Sequence, residues 1–399
     1  MKYSTFYIFI VIMLLGLASG IKAQDPIFSQ SYPNNLYINP ALAGAKNVVR
    51  FAATNRLQWL TPLHKLTINS VGVDFSYKNL GVGLLGAYDI SGSAFRYTTA
   101  GGAVSYQFGK LRRFIFRPGV QFAYINRTMN WDEMVFYDQL SPYGGVVYDA
   151  SQAEQPYENI NLLDISAGGI IQMPINIRRT QPAWFNLGMA LQHLKDNKDA
   201  YIGIANNLYP KKFTLHGGLL FPLYKKDKTT KLHELTRVML YPNFRYEAHG
   251  EFSSVDANIS AFRAPFIVGL GLRTFNDFYD IKNANQLMLM VGYEGFFGNY
   301  TAFNVSYNLD FAFSGLTGKY VPAFTTHEFS IVVLLANKRP TDCVSGEGFN
   351  KNRWFDSEKT QRRFNGECPP GRTKRRLGND IVPVFYPIEL PIHYEDITQ

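Results

Sequence analysis

Long runs of alternating apolar and polar residues are the feature that most constrains the fold of this chain. From Phe303 to Phe313 every second residue is apolar, and the residues between them are polar or small. Residues 114–124 and 163–168 repeat the alternation. Because a period of two places alternate side chains on opposite faces of a strand, the pattern predicts β-sheet from residue 48 to residue 336.

Turn residues divide this region into fourteen predicted strands. Most contain 10 to 14 residues, whereas strands of soluble sheets typically contain about 5–6. They lie near 48–59, 65–77, 80–90, 94–108, 113–126, 160–172, 182–194, 210–222, 235–247, 252–261, 264–275, 286–295, 301–313 and 325–336. Strands of this length suit a tilted bilayer crossing, and lipid leaves no partner for a sheet edge. We therefore expect an all-β fold, an outer-membrane barrel of about fourteen antiparallel transmembrane strands.

A soluble β-sandwich or propeller is the alternative, because both also contain alternating strands. The chain combines its long strands with 25 Tyr, 31 Phe and 33 Gly, and only 18% of its residues are charged. Aromatic residues recur at strand ends, and the face opposite the apolar one is weakly polar and rich in Gly and Ser. These features favour the membrane barrel with a polar lumen.

The first 23 residues resemble a secretory signal peptide. Lys2 is followed by an apolar run from Phe6 to Leu15, and the segment ends at the small residue Ala23. No later stretch approaches the roughly 20 apolar residues of a spanning helix. We divide the chain into a signal peptide (1–23), an N-terminal coil packed in or under the barrel (24–47), the barrel (48–336) and a C-terminal periplasmic extension (337–399).

The N-terminal coil has neither helical nor strand periodicity, but it is rich in residues with restricted conformations. Pro26, Asn39, Pro40 and Gly44 indicate successive turns. The coil also contains too many apolar side chains for a solvated segment, so it should pack against something large. A match to GxGxxG at residues 81–86 lies inside a predicted strand, and we interpret its small residues as lumen positions facing the coil.

An even number of strands places both termini on the periplasmic side. The short periplasmic links are then basic, and the long external loop, about residues 127–159, is acidic. Lys225, Lys226 and Lys228 form part of this basic rim. The rim either faces anionic lipid headgroups or docks an acidic periplasmic partner.

The extension after residue 336 is polar and contains proline. It is either disordered or a periplasmic binding arm, since residues 381–392 are more apolar than most disordered tails. Cys343 and Cys368 either form a disulfide, which a secreted location permits, or remain free thiols.

No pattern of catalytic or ligand-binding residues emerges. The seven histidines lack metal-site spacing, and neither GxSxG nor a paired Ser-His-Asp signature occurs. We expect no enzyme activity, cofactor or metal, with a barrel lipase or protease as the alternative. The basic residues are dispersed over short turns, which argues against nucleic-acid binding.

Three short motifs resemble the PorP/SprF family of Bacteroidetes outer-membrane proteins. The first motif has two parts, QDPIFSQ at 24–30 and LYINPALAG at 36–44, and is similar to the mature N-terminus of that family. The second, NRLQW at 55–59, matches its Arg-x-Gln-Trp on the first strand, and the third, residues 326–330, is similar to the start of its last strand. The residues that carry the resemblance are Gln24, Asp25, Pro26, Phe28, Ser29, Gln30, Asn39, Pro40, Ala41, Gly44, Arg56, Gln58, Trp59, His327 and Glu328.

The resemblance implies a role in type IX secretion and gliding. Such a barrel, embedded in outer-membrane lipid, assists export or surface attachment of a large adhesin with a C-terminal sorting domain. It also contacts periplasmic secretion, gliding or peptidoglycan-associated proteins. The alternative is a channel for small solutes. The chain departs from the family pattern after Cys368-Pro369, where a basic run and 23 further residues follow.

Arg56 and Trp59 are the residues whose chemistry suits a clamp. Arginine makes bidentate hydrogen bonds, and tryptophan offers a donor and a broad apolar face. We expect the pair to hold the turn at Asn39 and Pro40 at the barrel mouth, either as structural support or as a contact for secreted cargo.

Overall fold

The computed structural model describes most of the chain between residues 25 and 335. The described residues are 25–46, 48–58, 66–92, 94–110, 114–134, 139, 159–175, 183–197, 208–223, 238–250, 252–263, 265–277, 284–297, 301–312 and 325–335. Several predicted features lie outside them: the signal peptide, Gln24, Trp59, the three rim lysines, and the C-terminal extension with both cysteines. Those expectations stay predictions, as does the division of the chain into segments.

Fifteen strands are present in the described part of the chain. They are β1 Val49–Gln58, β2 Leu66–Tyr77, β3 Leu80–Ser91, β4 Phe95–Tyr106, β5 Phe108–Lys110, β6 Phe114–Met129, β7 Asn159–Ile175, β8 Ala183–Gln192, β9 Lys212–Leu223, β10 Val238–His249, β11 Phe252–Arg263, β12 Phe266–Asp277, β13 Ala284–Phe297, β14 Thr301–Ala312 and β15 Thr325–Leu335. A four-residue helix, α1, spans Asn35–Ile38, and short 3-10 turns span Pro40–Leu42 and Trp131–Glu133. None of the described helices is long and apolar enough to cross a membrane.

The strands form one closed antiparallel barrel. Each pairs with its neighbours in the chain, and β1 pairs along its length with β15, which closes the sheet. Since β4 and β5 both pair with β6, they act as a single strand interrupted at Gln107. The described residues therefore form the fourteen-stranded barrel that the sequence predicts, and each predicted strand boundary lies within three residues of the observed one.

The two faces of the sheet differ as the alternation predicts. On β14 the even-numbered residues from Ala302 to Ala312 are buried, and the residues between them are half-buried. Large apolar side chains cover the outside of the barrel, and Leu84, Phe122 and Phe266 each leave more than 60% of their surface exposed. Such a surface is stable only against lipid.

We call the barrel end where β1 begins and β15 ends the near mouth, and the opposite end the far mouth. Aromatic rings cluster on the outer surface around the near mouth. Tyr106 and Phe108 lie 4.8 Å apart between ring centroids, and Phe266 and Tyr293 lie 5.9 Å apart. Rings of this kind typically form the girdle at a membrane interface.

Residues 25–46, which we call the plug, lie inside the barrel. Every plug residue is buried or half-buried. Hydrogen bonds and close packing connect the plug to strands around the barrel circumference, namely β1, β2, β3, β4, β6, β7, β8, β9, β10, β12, β14 and β15.

The plug runs the length of the lumen three times. Asp25 lies at the far mouth, beside His249 at the end of β10. The carbonyl of Tyr32 lies near the other end, 3.1 Å from Nη1 of Arg50. The chain then returns towards the far mouth at Tyr37 before it reaches β1. Asp25 and the end of β15 thus lie at opposite mouths, so the expectation that both termini lie on the same side of the membrane is wrong for the start of the plug. The plug crosses the lumen an odd number of times, which separates the two ends, and which mouth faces the periplasm stays a prediction.

Glycines on β3 make room for the plug. A Cβ atom added to Gly81 would overlap the carbonyl of Ala43, and one added to Gly83 would lie 2.8 Å from Cδ2 of Leu36. Both glycines lie within the strand and on its lumen face. Their absent side chains explain why the plug approaches the wall so closely.

The lumen differs from the weakly polar surface that we expect from the sequence. Buried charged residues of both signs line it, namely Arg50, Arg56, Arg117, Lys212, Arg245, Arg273, Asp74, Asp164, Glu247, Asp256, Glu294, Asp310 and Glu328. A buried charge is stable only with a partner. The lumen is therefore an ionic network built around the plug.

Replacing Gly81 with alanine should loosen the plug without preventing barrel formation. The new methyl group overlaps the Ala43 carbonyl, and such overpacking costs about 1–3 kcal/mol. Hydrogen exchange of residues 25–46 should accelerate, while the mobility shift of the folded barrel on gels persists. Gly102→Ala is the control, because a Cβ at Gly102 lies 3.6 Å from Cδ2 of Leu84. Equal exchange in the two variants would contradict this packing.

Candidate functional site

Residues from each of the three family-like motifs meet at one point in the lumen. Arg56 on β1 and Glu328 on β15 are partners across the closing strand pair, and Nη1 of Arg56 lies 3.0 Å from Oε2 of Glu328. The backbone amides of Ser29 and Gln30 donate to the two oxygens of the same carboxylate, at 2.7 and 2.8 Å. One side chain thus connects the plug to the seam of the barrel.

Side chains of the same two plug residues extend this contact. The Ser29 hydroxyl donates to Oδ2 of Asp310 at 2.6 Å, and Arg56 also contacts both groups. The amide oxygen of Gln30 accepts from the Ser306 hydroxyl at 2.5 Å. Polar side chains of the plug therefore find partners on β14, β15 and β1, as buried polar groups require.

The Phe28 carbonyl is bound by two arginines. Nη2 of Arg273 donates to it at 3.0 Å, and Nη2 of Arg245 donates to it as well. Asp256 lies between the arginines, with Oδ1 at 2.7 Å from Nε of Arg273 and Oδ2 bound by Arg245. Charge-assisted bonds of this kind are among the stronger hydrogen bonds in proteins. Asp256 balances one of the two charges, and Glu247 and Asp310 lie 3.4 Å from Nε of Arg245 and 3.9 Å from Nη1 of Arg273. The plug carbonyl accepts from one nitrogen of each guanidinium.

Asn39 anchors the middle of the plug. Its Nδ2 lies 3.2 Å from the Gly169 carbonyl, 3.1 Å from the Met189 carbonyl and 3.1 Å from Nε2 of His216. Its Oδ1 accepts from the amide of Ala41 at 2.9 Å and so caps the following 3-10 turn. A single amide thus binds β7, β8 and β9 and also fixes the local turn.

Gly44 anchors the last part of the plug near β2. Its φ is +57°, a conformation that glycine adopts without strain, and an added Cβ would overlap the Phe75 carbonyl. The Gly44 amide donates to Oδ1 of Asp74 at 3.2 Å, and Oδ2 of Asp74 accepts from Nε of Arg50 at 2.7 Å. The Asp74 carboxylate therefore accepts from both the Arg50 guanidinium and the Gly44 backbone amide.

The Asp25 cluster, which we define as Asp25, Asp164, His193, Tyr209, Lys212, Glu247 and His249, holds the start of the plug. Oδ2 of Asp25 lies 2.8 Å from Nε2 of His193, and the Asp25 amide donates to Nδ1 of His249 at 3.1 Å. The Tyr209 hydroxyl donates to Oδ1 of Asp25, and Nζ of Lys212 lies 3.9 Å from Oδ2.

Opposite charges set the ionisation of this cluster. Burial alone would raise the pKa of Asp25, but the charges of His193 and Lys212 and the hydrogen bond from His193 outweigh burial and hold it well below its usual value. Burial would lower the pKa of His193, yet Asp25 and Asp164 raise it to about 9. The Asp25 carboxylate and the His193 imidazolium therefore form a buried ion pair at neutral pH.

The prediction that Arg56 holds the Asn39-Pro40 turn is wrong. Its guanidinium binds Ser29, Asp310 and Glu328, because β1 faces the first part of the plug. Asn39 is bound by β7 to β9 instead.

The other motif residues have different positions. Pro26, Pro40 and Ala41 are buried in the plug, and Gln58 is half-buried at the end of β1. His327 is half-buried, and its Nδ1 lies 2.6 Å from the Tyr307 hydroxyl. His327 therefore takes no part in the contacts that Glu328 makes with the plug.

Sequence reasoning missed several residues that bind the plug. Arg245, Arg273, Asp256 and Asp310 belong to no motif, and His193 and His249 lack metal-site spacing. A signal was present, since the four charged residues occupy inward positions of predicted transmembrane strands. A charge at such a position requires a partner in the lumen.

A cavity of about 110 Å³ remains between the plug and the wall formed by β7 to β14. Its lining includes Gln30, Asn243, Asn258, Ser260, Asn304 and Met288. This volume accommodates several water molecules.

A comparison with known protein families identifies the family of the chain. A family sequence model described as "Type IX secretion system membrane protein PorP/SprF" matches residues 21–333. The chain belongs to the PorP/SprF family. The predicted family is thus confirmed, and the match includes all three motifs. Together with the closed barrel and its apolar exterior, it locates the protein in the outer membrane.

Solved barrels are similar to the PorP/SprF chain only remotely. The monoaromatic hydrocarbon channel CymD is 10% identical with a TM-score of 0.42, over 79% of this chain and 95% of that one. The Pseudomonas putida toluene transporter TodX is 8% identical with a TM-score of 0.39, over 80% and 95%. A bacterial polysaccharide outer membrane secretin is 8% identical with a TM-score of 0.38, over 72% and 98%. The search of curated proteins found no match.

Glu328→Gln should weaken the contact between plug and seam. The substitution removes the charge that pairs with Arg56 and leaves one of two backbone amides without an ideal acceptor, a cost of about 1–3 kcal/mol. The free energy of unfolding, measured by urea titration in lipid vesicles, should decrease by this amount. His327→Gln, on the adjacent residue, should show a much smaller change, and equal effects of the two substitutions would rule out a special role for Glu328.

Asn39 can be tested by separating its two functions. Asn39→Ala removes both the strand contacts and the cap, whereas Asn39→Ser retains a cap acceptor, which is worth about 0.5–2 kcal/mol. We expect hydrogen exchange of the plug to accelerate more in the alanine variant than in the serine variant. Asn126→Ala, whose bonds lie on exposed residues, is the control. Unchanged exchange in the alanine variant would contradict the anchor.

Proposed function

We propose that this PorP/SprF barrel aids the export or surface attachment of a large adhesin and docks to periplasmic secretion machinery. It does so as a binding protein without enzyme activity. The filled lumen carries this proposal. A protein whose own segment occupies the lumen, bound to strands on every side, is built to present fixed surfaces rather than to pass solutes.

The contacts of the plug support a stable closed state. Glu328, Asp74 and the Arg245–Arg273 pair each bind plug backbone groups from buried positions. Releasing the plug would leave these charged groups without their partners, which is costly in a buried setting. Thermal fluctuation alone therefore does not release the plug from the lumen.

The position of the plug also suggests how docking and attachment are separated. With the near mouth on the periplasmic side, as an even number of strands implies, the plug enters β1 beside the periplasmic machinery. Asp25 then lies towards the cell surface, where an adhesin would attach. The two ends of one bound segment thus face two different sets of partners.

The alternative is a channel for small solutes, and the cavity beside the plug favours it. Conductance in planar bilayers separates the two functions. We expect no stable open pore for the wild type and more frequent openings for Glu328→Gln, because the substitution loosens the plug. His327→Gln should behave as the wild type. A stable, large wild-type conductance would favour transport.

Deletion of the gene tests the secretion role directly. We expect the large adhesin to disappear from the cell surface in the deletion strain and to return on complementation with the wild-type gene. Normal surface display in the deletion strain would overturn the proposal. Co-purification of periplasmic proteins with the wild-type barrel would identify the docking partners.

A further inference from the structure

Three potential metal ligands converge where the plug begins. One ligand atom from each of Asp25, His193 and His249 lies within 4.8 Å of the other two, and all three residues are buried. Asp25 belongs to the plug, whereas the histidines lie at the ends of β8 and β10 on the wall. Two imidazoles and a carboxylate are a donor set that zinc binds in proteins.

In each histidine one ring nitrogen faces a carbonyl or carboxylate of the wall, and the other ring nitrogen faces Asp25. Nε2 of His249 lies 3.1 Å from the Pro210 carbonyl and so carries the proton. The lone pair on Nδ1 accepts from the Asp25 amide at 3.1 Å, and an ion bound to Nδ1 would replace this hydrogen bond. Nδ1 of His193 lies 3.1 Å from Oδ1 of Asp164, and its Nε2 faces Asp25. The carbonyl bound to His249 is the arrangement that orients metal-binding histidines, whereas Asp164 lies at ion-pair distance from His193 without hydrogen-bond geometry.

The backbone at His193 indicates a functional constraint. Its φ is +60°, and among the described residues Lys78 is the only other non-glycine residue with a positive φ. Lys78 belongs to a tight hairpin turn, where such a conformation is common. At the end of a strand, a histidine in this strained conformation fixes the direction of its side chain.

We propose that Asp25, His193 and His249 bind one Zn²⁺ ion that fastens the plug to the barrel wall. The Tyr209 hydroxyl bonds Oδ1 of Asp25 and leaves Oδ2 for the ion. Three protein ligands leave a fourth position for water.

Titration of the metal-stripped, full-length barrel with ZnCl₂ tests this site. His193→Gln and His249→Gln each remove one ligand, and His327→Gln is the matched control on β15. We expect one tight site in the wild type and the control, and at least about tenfold weaker binding in either ligand variant. Cobalt should give visible absorption bands typical of a four-coordinate site in the wild type and the control only.

Folding of each variant is verified by the mobility shift of the intact barrel on gels. If His193→Gln does not fold, His249→Gln supplies the comparison. Loss of the tight site in a folded ligand variant supports the proposal. A wild type without a tight site, or unchanged affinity in both folded ligand variants, would overturn it.

The consequence for the plug is measured separately from secretion. Chelation of zinc should accelerate hydrogen exchange of the first plug residues in the wild type but not in His249→Gln. Equal acceleration in both proteins would contradict a zinc fastener. Neither measurement depends on adhesin display, so the metal site and the secretion role can fail independently.

Discussion

The bonds between the lumen and the backbone of the plug are the interaction on which the rest of the structure depends. A peptide without regular secondary structure carries unpaired amides and carbonyls, and burying them without partners costs several kcal/mol in sum. Here charged side chains supply the partners: Glu328 accepts from two successive amides, and two arginines donate to the Phe28 carbonyl. The irregular conformation of residues 25–46 is stable because the barrel interior is complementary to it.

The same bonds explain why so many charges lie inside the barrel. Asp256 pairs with both Arg245 and Arg273, and Asp74 pairs with Arg50. Each of these arginines also donates to a plug carbonyl, so neither the wall nor the plug is satisfied alone. Buried ion pairs contribute little net stability, but they strongly penalise any arrangement that separates them. The network therefore selects one position for the plug, whereas an apolar lumen would tolerate several.

The fold could be predicted from the sequence because the alternation of apolar and polar residues is a local property that can be recognised on each strand separately. Most of the contacts in the site could not be predicted in this way. The charged residues are spread over many strands, and Arg56 meets Glu328 only through the closing pair of β1 with β15, 272 residues apart. The Asp25 cluster likewise gathers side chains from the plug and from the ends of several strands. The motif residues Ser29, Gln30, Asn39 and Gly44 were predicted as important, but their partners depend on strand register, which alternation does not reveal.

Closure of the barrel by β1 and β15 has a consequence for how the protein is made. Ser29 obtains its partner Glu328 across a separation of 299 residues, so a segment made early in synthesis waits for β15, the last described strand. Contacts of such range form late, after the entropy of a long loop has been lost. Ser29 contacts both Arg56 on β1 and Glu328 on β15, so this set of contacts exists only when the ring is closed. The step that seals the barrel is thus also the step that completes the anchorage of its own N-terminal segment.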